Sequence, residues 1–403
     1  MRMYKYRHTN YQLKVVVNKI LHLWVSCFDD ELTKRIPSIE EYIYRLQKKI
    51  ADTVERHLLA RITNGSLSID DVIFVDESTD LTSNKEPHQW IFVNRNLDDS
   101  HFNGVDFDDA IFIHVSAHSS KFTNCRFRNA LLLFCDIRYS EFDSGTFENA
   151  RLYWCDLYRA YFLGVIRFAK AIISFSSLNN TYFSSGCLIR KQNFENKRLL
   201  QENTDAYRMF LVLWDAIRSD KIKNDDNKSG VQKIEYIINN RHSELELIYK
   251  SLSSTFSSNG FSNDANWAYV KGKREERSDI WMQIKFSISF RQKLCLSLKW
   301  GQNYFIDKAF GYGEGLTNIF LMYITLVFIF ACLYVYNGNI DCFLHAFYIS
   351  LKNMIGMSSS EMNLEDNVWL SLLNLVQTTF GILLTGIFGF ILGNKITQVS
   401  QVP

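Results

Sequence analysis

Proline is nearly absent from this chain: three occur in 403 residues, at Pro37, Pro87 and Pro403. Long proline-rich linkers are thereby excluded. An excess of either charge is missing too. Lysine and arginine total 45 against 43 acids, a net of +2, so no polyelectrolyte partner is indicated and nucleic acid is not expected. No C-x-x-C pair occurs among the eight cysteines, Cys27, Cys125, Cys135, Cys155, Cys187, Cys295, Cys332 and Cys342. That removes the usual zinc and redox spacings. Most stand where a small apolar residue would serve, and all are expected to be reduced and cytosolic. No H-E-x-x-H, G-x-S-x-G or Walker sequence appears, and the histidines show no ligand spacing. Neither an enzyme nor a metal or other cofactor is expected. A cleavable signal peptide is not expected either. The apolar stretch Val15–Phe28 is interrupted by Lys19 and His22, and a signal's apolar core does not carry such a lysine. An amphipathic helix docked on its own domain is the expectation there.

What the chain does contain is two long uncharged apolar runs near its C-terminus. One covers Leu316–Tyr336 and the other Asn367–Asn394. Each reaches the roughly 20 helical residues needed to cross a bilayer core. The segment between them is too polar to span and too apolar for an ordinary loop. Basic residues flank the pair: Arg291, Lys293, Lys299 and Lys308 before it, Lys395 after it. The intervening segment carries Asp341, Glu361, Glu365 and Asp366 against Lys352. Basic flanks favour the cytoplasmic side. The expected placement is therefore a multi-pass protein of the cell (inner) membrane, with the lipid bilayer as a partner and both termini cytoplasmic.

The middle of the chain repeats every five residues. From Phe92 the fifth positions read Phe92, Leu97, Phe102, Phe107, Phe112, Ala117, Phe122, Phe127, Leu132, Ile137, Phe142, Phe147, Leu152, Leu157 and Phe162. The register slips by one near Gly164 and resumes at Phe168, Ile173, Leu178, Phe183 and Leu188. From Phe102 onward the position two residues before is nearly always small, as at Ala110, Ser120, Cys125, Ala130, Cys135 and Ser140. Neither a helix (3.6) nor a flat strand (2) has a period of five. A square coil does, because each side points one large and one small residue inward and then turns a corner.

The segments "CDIRY", "CDLYR" and "VDFDD" bring this stretch close to the pattern A-[DN]-L-x-x. In this it resembles the pentapeptide-repeat proteins. The resemblance implies a right-handed quadrilateral β-helix with four repeats per coil. Twenty repeats over residues 92–188 make about five coils, or roughly 24 Å of stacked strands. Some members of that family mimic DNA with an acidic surface. Here ten acids meet nine bases over the same residues, which disfavours mimicry. A rigid spacer, an interaction surface or a sensor face for a ligand or protein all remain open.

The flanks read as helical. Ile39, Tyr42, Ile43, Leu46, Ile50, Val54, Leu58 and Ile62 follow helical spacing. Residues 1–88 are expected to cap the open end of the β-helix or to mediate assembly. After the repeats come a helix through Tyr207, Phe210, Leu211, Trp214 and Ile217, a second over Val231–Ser251, and a third through Trp267. "DKIKNDDNKSG" and "SSTFSSNGFSND" are expected loops, the latter ending in N-caps at Asn263 and Asp264. Lys271, Lys273, Arg274 and Arg277 form either a solvated face paired with Glu275 and Glu276 or an anionic contact. An interfacial helix, Leu296–Phe310, leads to a flexible turn at Gly311, Tyr312 and Gly313. The fold class is thus mixed: a pentapeptide β-helix (89–190) with flanking helical regions (1–88 and 191–310) and a C-terminal two-helix transmembrane domain (311–403).

"CFLHAFYISLKNMI" followed by "IGMSS" makes the C-terminal segment resemble the two-span pore domain of potassium-channel-like proteins. The resemblance implies a re-entrant pore helix containing Phe347, Tyr348 and Lys352. It places Ile355, Gly356, Met357, Ser358 and Ser359 where the family has its filter. One glycine of the family's pair is present and the preceding threonines are not. The resemblance also implies a homotetramer with permeant ions as ligands. Glu361, Glu365 and Asp366 would ring an outer mouth. Asn374, Thr378, Gly381, Thr385 and Gly389 lie on one stripe of the second span, suited either to lining a conduit or to helix packing with Gly389 and Gly393 at G-x-x-x-G spacing. Gly381, Gly386 and Gly389 are hinge candidates. Lys352 complements the dipole of a pore helix, the preferred reading, or repels cations near a filter. These observations together lead to the expectation of a cation-permeable channel with a cytoplasmic repeat domain for sensing or assembly. The alternatives are a membrane-depolarising effector, for example in anti-phage defence, and a non-conducting membrane-anchored scaffold.

Overall fold

A computed structural model describes residues 12–22, 37–63, 72–75, 89–219, 227–313, 316–336, 342–357 and 368–399. The chain divides into two compact units, Met1–Glu275 and Glu276–Pro403.

The first unit is built on a β-solenoid of short parallel strands. One sheet stacks β1 (Val72–Phe74), β2 (Gln89–Val93), β4 (Ile111–Ile113), β6 (Leu131–Leu133), β8 (Arg151–Tyr153) and β10 (Ile172–Ser174). The other stacks β3 (His101–Asn103), β5 (Lys121–Arg126), β7 (Glu141–Thr146), β9 (Tyr161–Arg167) and β11 (Tyr182–Phe183), with β12 (Cys187–Leu188) also on β9. Partners are twenty residues apart: Phe92 lies on Phe112, Phe112 on Leu132 and Leu132 on Leu152. Leu152 then meets Ile173, one residue further on. The extra residue is absorbed between Leu163 and Ile166, opposite Asp143 and Gly145, where Gly164 has φ +62°. The slip read from the sequence is a bulge.

Corners recur every fifth residue in the left-handed region, including Asn94, Asp99, Gly104, Asp109, Asn129, Asn149 and Asn180. Asn, Asp and Gly tolerate that region best. Inside, large residues stack on large ones: Phe127 on Phe147 at 4.8 Å and Phe147 on Phe168 at 5.2 Å. The small column does more than leave room. Cys135 and Cys155 each donate an S–H to a carbonyl one coil below, that of Phe112 at 3.7 Å and Leu132 at 3.5 Å. Ser140 and Thr181 do the same with O–H groups. Burial raises the thiols of Cys125 and Cys155 and pushes Cys187 up to about 11, so these are inert packing groups.

Helices jacket the first sheet. Helix α1 (residues 12–22) buries Leu13, Val17 and Ile20, and α2 (Pro37–Thr63) buries Ile50, Val54 and Leu58. With Phe210, Leu213 and Trp214 of α3 (Thr204–Ser219), they form one apolar cluster with the outward residues Ile91, Ile111, Ile113, Leu131 and Leu133. This corrects the end-cap expectation for residues 1–88. Their described helices lie along a side, and only β1 extends the end of a sheet. The remaining helices are α4 (Asn227–Asn239), α5 (Arg241–Ser258) and α6 (Ser262–Phe286). Val231–Ser251 is therefore not one helix but is broken at Asn240. The expected loop after it shrinks to residues 259–261, because α5 continues to Ser258. Asp264 falls inside the first turn of α6, where its buried carboxylate holds Arg190 at 2.6 Å and Lys191 at 3.3 Å. Leu245, Ile248, Tyr249, Leu252 and Phe256 of α5 join the inner solenoid core. Thr255 Oγ1 donates to the Phe183 carbonyl at 3.1 Å and Asn259 Nδ2 to that of Cys187 at 2.9 Å, satisfying the last coil.

The second unit contains α7 (Phe290–Phe310), α8 (Leu316–Tyr336), α9 (Phe343–Met354) and α10 (Val368–Val399). Helix α7 begins before the expected Leu296 and ends at Gly311, a left-handed C-cap with φ +54°. Two members of the basic cluster of α6 pair elsewhere: Lys271 with Glu202 at 2.6 Å, and Arg277 with Asp307 at 2.7 Å. Glu275 instead holds His242 at 2.7 Å, and Glu276 holds Lys299 at 3.4 Å.

Candidate functional site

Two helices of the second unit are long and apolar enough to cross a membrane, Thr317–Tyr336 and Val368–Gly393. Only 28% and 22% of their apolar windows is buried. Phe320, Leu321, Leu375, Ile382 and Phe390 face outward. Such a surface is costly in water and at ease in hydrocarbon.

Between them sits α9. Its 12 residues extend about 18 Å, too short to cross a core of about 30 Å. It packs on both long helices. Ala346 and Ile349 lie among Phe330, Ala331, Tyr334 and Leu370, and Met354 lies with Val327 and Leu384. At its tip the backbone presses directly on α10. A Cβ on Gly381 would stand 2.1 Å from the Met354 carbonyl oxygen. Only glycine leaves room there.

A buried polar network locks the three helices. Tyr334 of α8 donates its hydroxyl to Gln377 Oε1 at 2.6 Å and accepts from Asn353 Nδ2 at 3.2 Å. Gln377 Nε2 donates to the Ser350 carbonyl at 2.9 Å and to its hydroxyl. Ser350 Oγ in turn donates to the Val327 carbonyl at 2.8 Å. Tyr334, Ser350, Asn353 and Gln377 are all fully buried. Such groups require partners in an apolar surrounding. Two buried amide oxygens, Asn353 Oδ1 and Asn374 Oδ1, have no hydrogen-bond partner among the described residues.

The residues read from the sequence divide as follows. Gly356 has φ +80° and ends α9. Its N–H bonds the Asn353 carbonyl at 3.1 Å, while Met357 N–H reaches the Lys352 carbonyl at 3.0 Å. This is a Schellman cap, so Ile355, Gly356 and Met357 form the end of a helix. Ser358, Ser359, Glu361, Glu365 and Asp366 lie outside the described residues. Phe347 packs inside the hairpin, whereas Tyr348 is exposed with the Lys352 ammonium 4.5 Å from its ring centre. The stripe on α10 splits. Asn374, Thr378 and Gly381 are at least half-buried, and Thr385 and Gly389 are exposed. Thr385 Oγ1 bonds its own helix at the Gly381 carbonyl, 2.8 Å away. Nothing stands within 4 Å of a Cβ at Gly386, Gly389 or Gly393. Tyr334, Ser350, Asn353 and Gln377 were missed by sequence reasoning. The available signal was Gln377, an amide deep in an uncharged apolar run.

Residues 92–129 match the family model of pentapeptide repeats, in eight copies. The solenoid is a pentapeptide-repeat domain. Among solved structures, the chain is similar to a pentapeptide repeat protein from the Arabidopsis thaliana thylakoid lumen, at 17% identity and TM-score 0.15, covering 23% of this chain and 66% of that one. It is similar to QnrB1, a plasmid-mediated fluoroquinolone resistance protein, at 16% and 0.19, covering 25% and 60%. It is also similar to Rfr23 from the cyanobacterium Cyanothece 51142, at 19% and 0.16, covering 22% and 63%. The chain thus spans under two thirds of each of these three proteins. No curated protein matches it. Neither the family model nor these three structures is named for an enzyme family or a channel.

Proposed function

We propose that the protein is a homo-oligomeric, cation-permeable membrane channel whose pentapeptide-repeat domain lies in the cytoplasm and serves sensing or assembly. The observation that carries this reading is α9, a helix too short to span, fixed between two long apolar helices by the Tyr334–Gln377–Ser350–Asn353 network. A plain anchor needs only the two long helices.

Two spans from one chain cannot enclose a path, so several copies must surround it. Four is the number implied by the resemblance to potassium-channel-like domains. In that arrangement the C-terminal end of α9, the negative end of its dipole, is turned to the axis and favours cations. Lys352 partly offsets that dipole from the outer surface of the helix. Residues 355–359 follow as the narrow part, and Glu361, Glu365 and Asp366 as the mouth. Gly386 and Gly389, with open space beside them, are the hinge or packing positions. Gly381, wedged on Met354, is not free to bend.

The test is flux from liposomes containing the purified protein, together with its mass in lipid. Potassium or sodium release by an oligomer supports the reading. An intact oligomer in sealed liposomes that releases neither ion defeats it and leaves a membrane-anchored scaffold.

A further inference from the structure

A groove runs between α2 and the first sheet of the solenoid. At one end is a cavity of about 550 Å³ whose floor is the corner ladder Asp109, Asn129 and Asn149 and whose wall is Arg56, His57 and Arg61. Next to it is a smaller cavity of about 190 Å³ beside Lys49, Tyr153 and Trp154. Arg56 and Arg151 line both. Together their volumes fall in the range of small-molecule sites.

The placement of Arg151 is the first sign that the groove is more than a solvated face. In its column the preceding coils carry Ile91, Ile111 and Leu131, all 0% exposed under the helical jacket. The fourth coil puts an arginine there. The acids nearby do not cancel the charge. Asp109 is engaged by Arg61 at 3.1 Å and by Asn129 Nδ2 at 3.0 Å. Glu195, at the smaller cavity, accepts from the Ser174 hydroxyl. Lys49, Arg56, Arg61 and Arg151 against Asp109 and Glu195 leave a surplus of two positive charges. Arg56 uses its Nε on the Asp52 carbonyl at 2.8 Å, which leaves its terminal nitrogens to face the groove.

His57 is the second sign. Its ring hydrogen-bonds the backbone of Asp109, and its buried Nε2 has no hydrogen-bond partner among the described residues. With Nδ1 as donor, Nε2 is a bare acceptor in a wall of cations. Such an acceptor suits a hydroxyl donor. The third sign is aromatic. Trp154 is sandwiched by Phe134 at 5.9 Å and Phe175 at 5.2 Å, so the half-buried Tyr153 beside it offers the ring for stacking.

We infer that this groove binds a nucleotide: phosphates between Arg56, Arg61 and Arg151, a sugar hydroxyl donating to His57 Nε2, and a base against Tyr153. Arginine suits phosphate through paired N–H donors, and aromatic rings receive bases without demanding one sequence. The site lies wholly in the repeat-bearing unit and does not depend on ion permeation.

The experiment is calorimetric titration of the purified full-length chain with ADP, UDP, pyrophosphate and adenosine. At least one of the two nucleotides is expected to bind at least tenfold more tightly than pyrophosphate or adenosine. Arg56→Gln and Arg151→Gln, both at exposed positions, are each expected to weaken it by about tenfold or more. His57→Phe should weaken nucleotide and leave pyrophosphate unchanged. Failure of both ADP and UDP to bind at millimolar concentration overturns the inference. So does unchanged affinity in the double variant Arg56→Gln/Arg151→Gln, or pyrophosphate binding as well as either nucleotide. None of these readings uses flux, so a protein that binds nucleotide yet passes no ions refutes the channel alone.

Discussion

Adding one methyl group at Gly381 tests the wedge. The alanine carbon would stand 2.1 Å from the Met354 carbonyl oxygen, 2.7 Å from its carbon and 2.8 Å from its Cα. All three are backbone atoms, so no side chain can swing aside. Real Cβ contacts below 3.0 Å essentially never occur, and the tip of α9 must therefore retreat by roughly 1 Å. Gln377 lies one turn earlier on the same face of α10, and its bonds to Ser350 stretch with that retreat. Overpacking of this kind costs about 1–3 kcal/mol. A buried amide left without partners costs about 1–3 kcal/mol more. Less the roughly 1 kcal/mol that alanine gains over glycine within a helix, Gly381→Ala should therefore destabilise the unit by about 1–5 kcal/mol and alter flux. Gly386→Ala is the internal control for the unfolding measurement only. Nothing stands near it, and within a helix the change from glycine gains about 1 kcal/mol. Thermal unfolding in detergent and liposome flux are the measurements. If Gly381→Ala melts with the parent protein and conducts like it, the tip does not rest on α10 and the wedge argument fails.

Two further outcomes concern the repeat-bearing unit. Phe147→Ala removes a ring stacked on both sides and 2% exposed, and should cost about 3–5 kcal/mol in denaturant unfolding, whereas Val165→Ala on the outer surface should stay within about 0.5 kcal/mol. Burial lowers the pKa of His57 below its usual value of 6.5, with Arg61 and Arg151 adding to the effect. The unfolded chain then binds the proton more readily. Stability is full above pH about 6.5 and falls as pH drops from there through the lowered folded value. His57→Phe should flatten that fall in pH-dependent melts, and an unchanged slope would exclude His57 as its source.

The solenoid was legible because its rule is short. A large residue every fifth position, from Phe92 to Phe162, leaves no helix or ordinary strand as an alternative, and the slip at Gly164 could be placed to within two residues. The jacket was harder to see, although Ile111, Ile113, Leu131 and Leu133 carried its signature. These positions flank the inward Phe112 and Leu132 and should be polar on a bare coil. Their apolar character called for a cover, and period five drew attention away from it. The break at Asn240 was hidden because apolar spacing continues across it. In the C-terminal unit, both long helices were legible from length and composition. Attention to the Asn374–Gly389 stripe then obscured Gln377, which lies beside the stripe and bonds across three helices. That Gly356 caps α9 was not legible, because a loop glycine and a helix-capping glycine look alike until φ and the hydrogen bonds are known.

The bulge at Gly164 and the identical corners around it bear on how such a chain changes length. Each turn of the solenoid rests only on the turn below, and a single surplus residue is taken up locally without disturbing the Phe168 that follows. Duplication or loss of a whole twenty-residue block would therefore leave the interior intact. The limit comes from outside. Every added block would have to present a bare polar flank or find another stretch of α1, α2 or α3 to lie beneath. The outer helices, more than the interior, fix how many turns this molecule can keep.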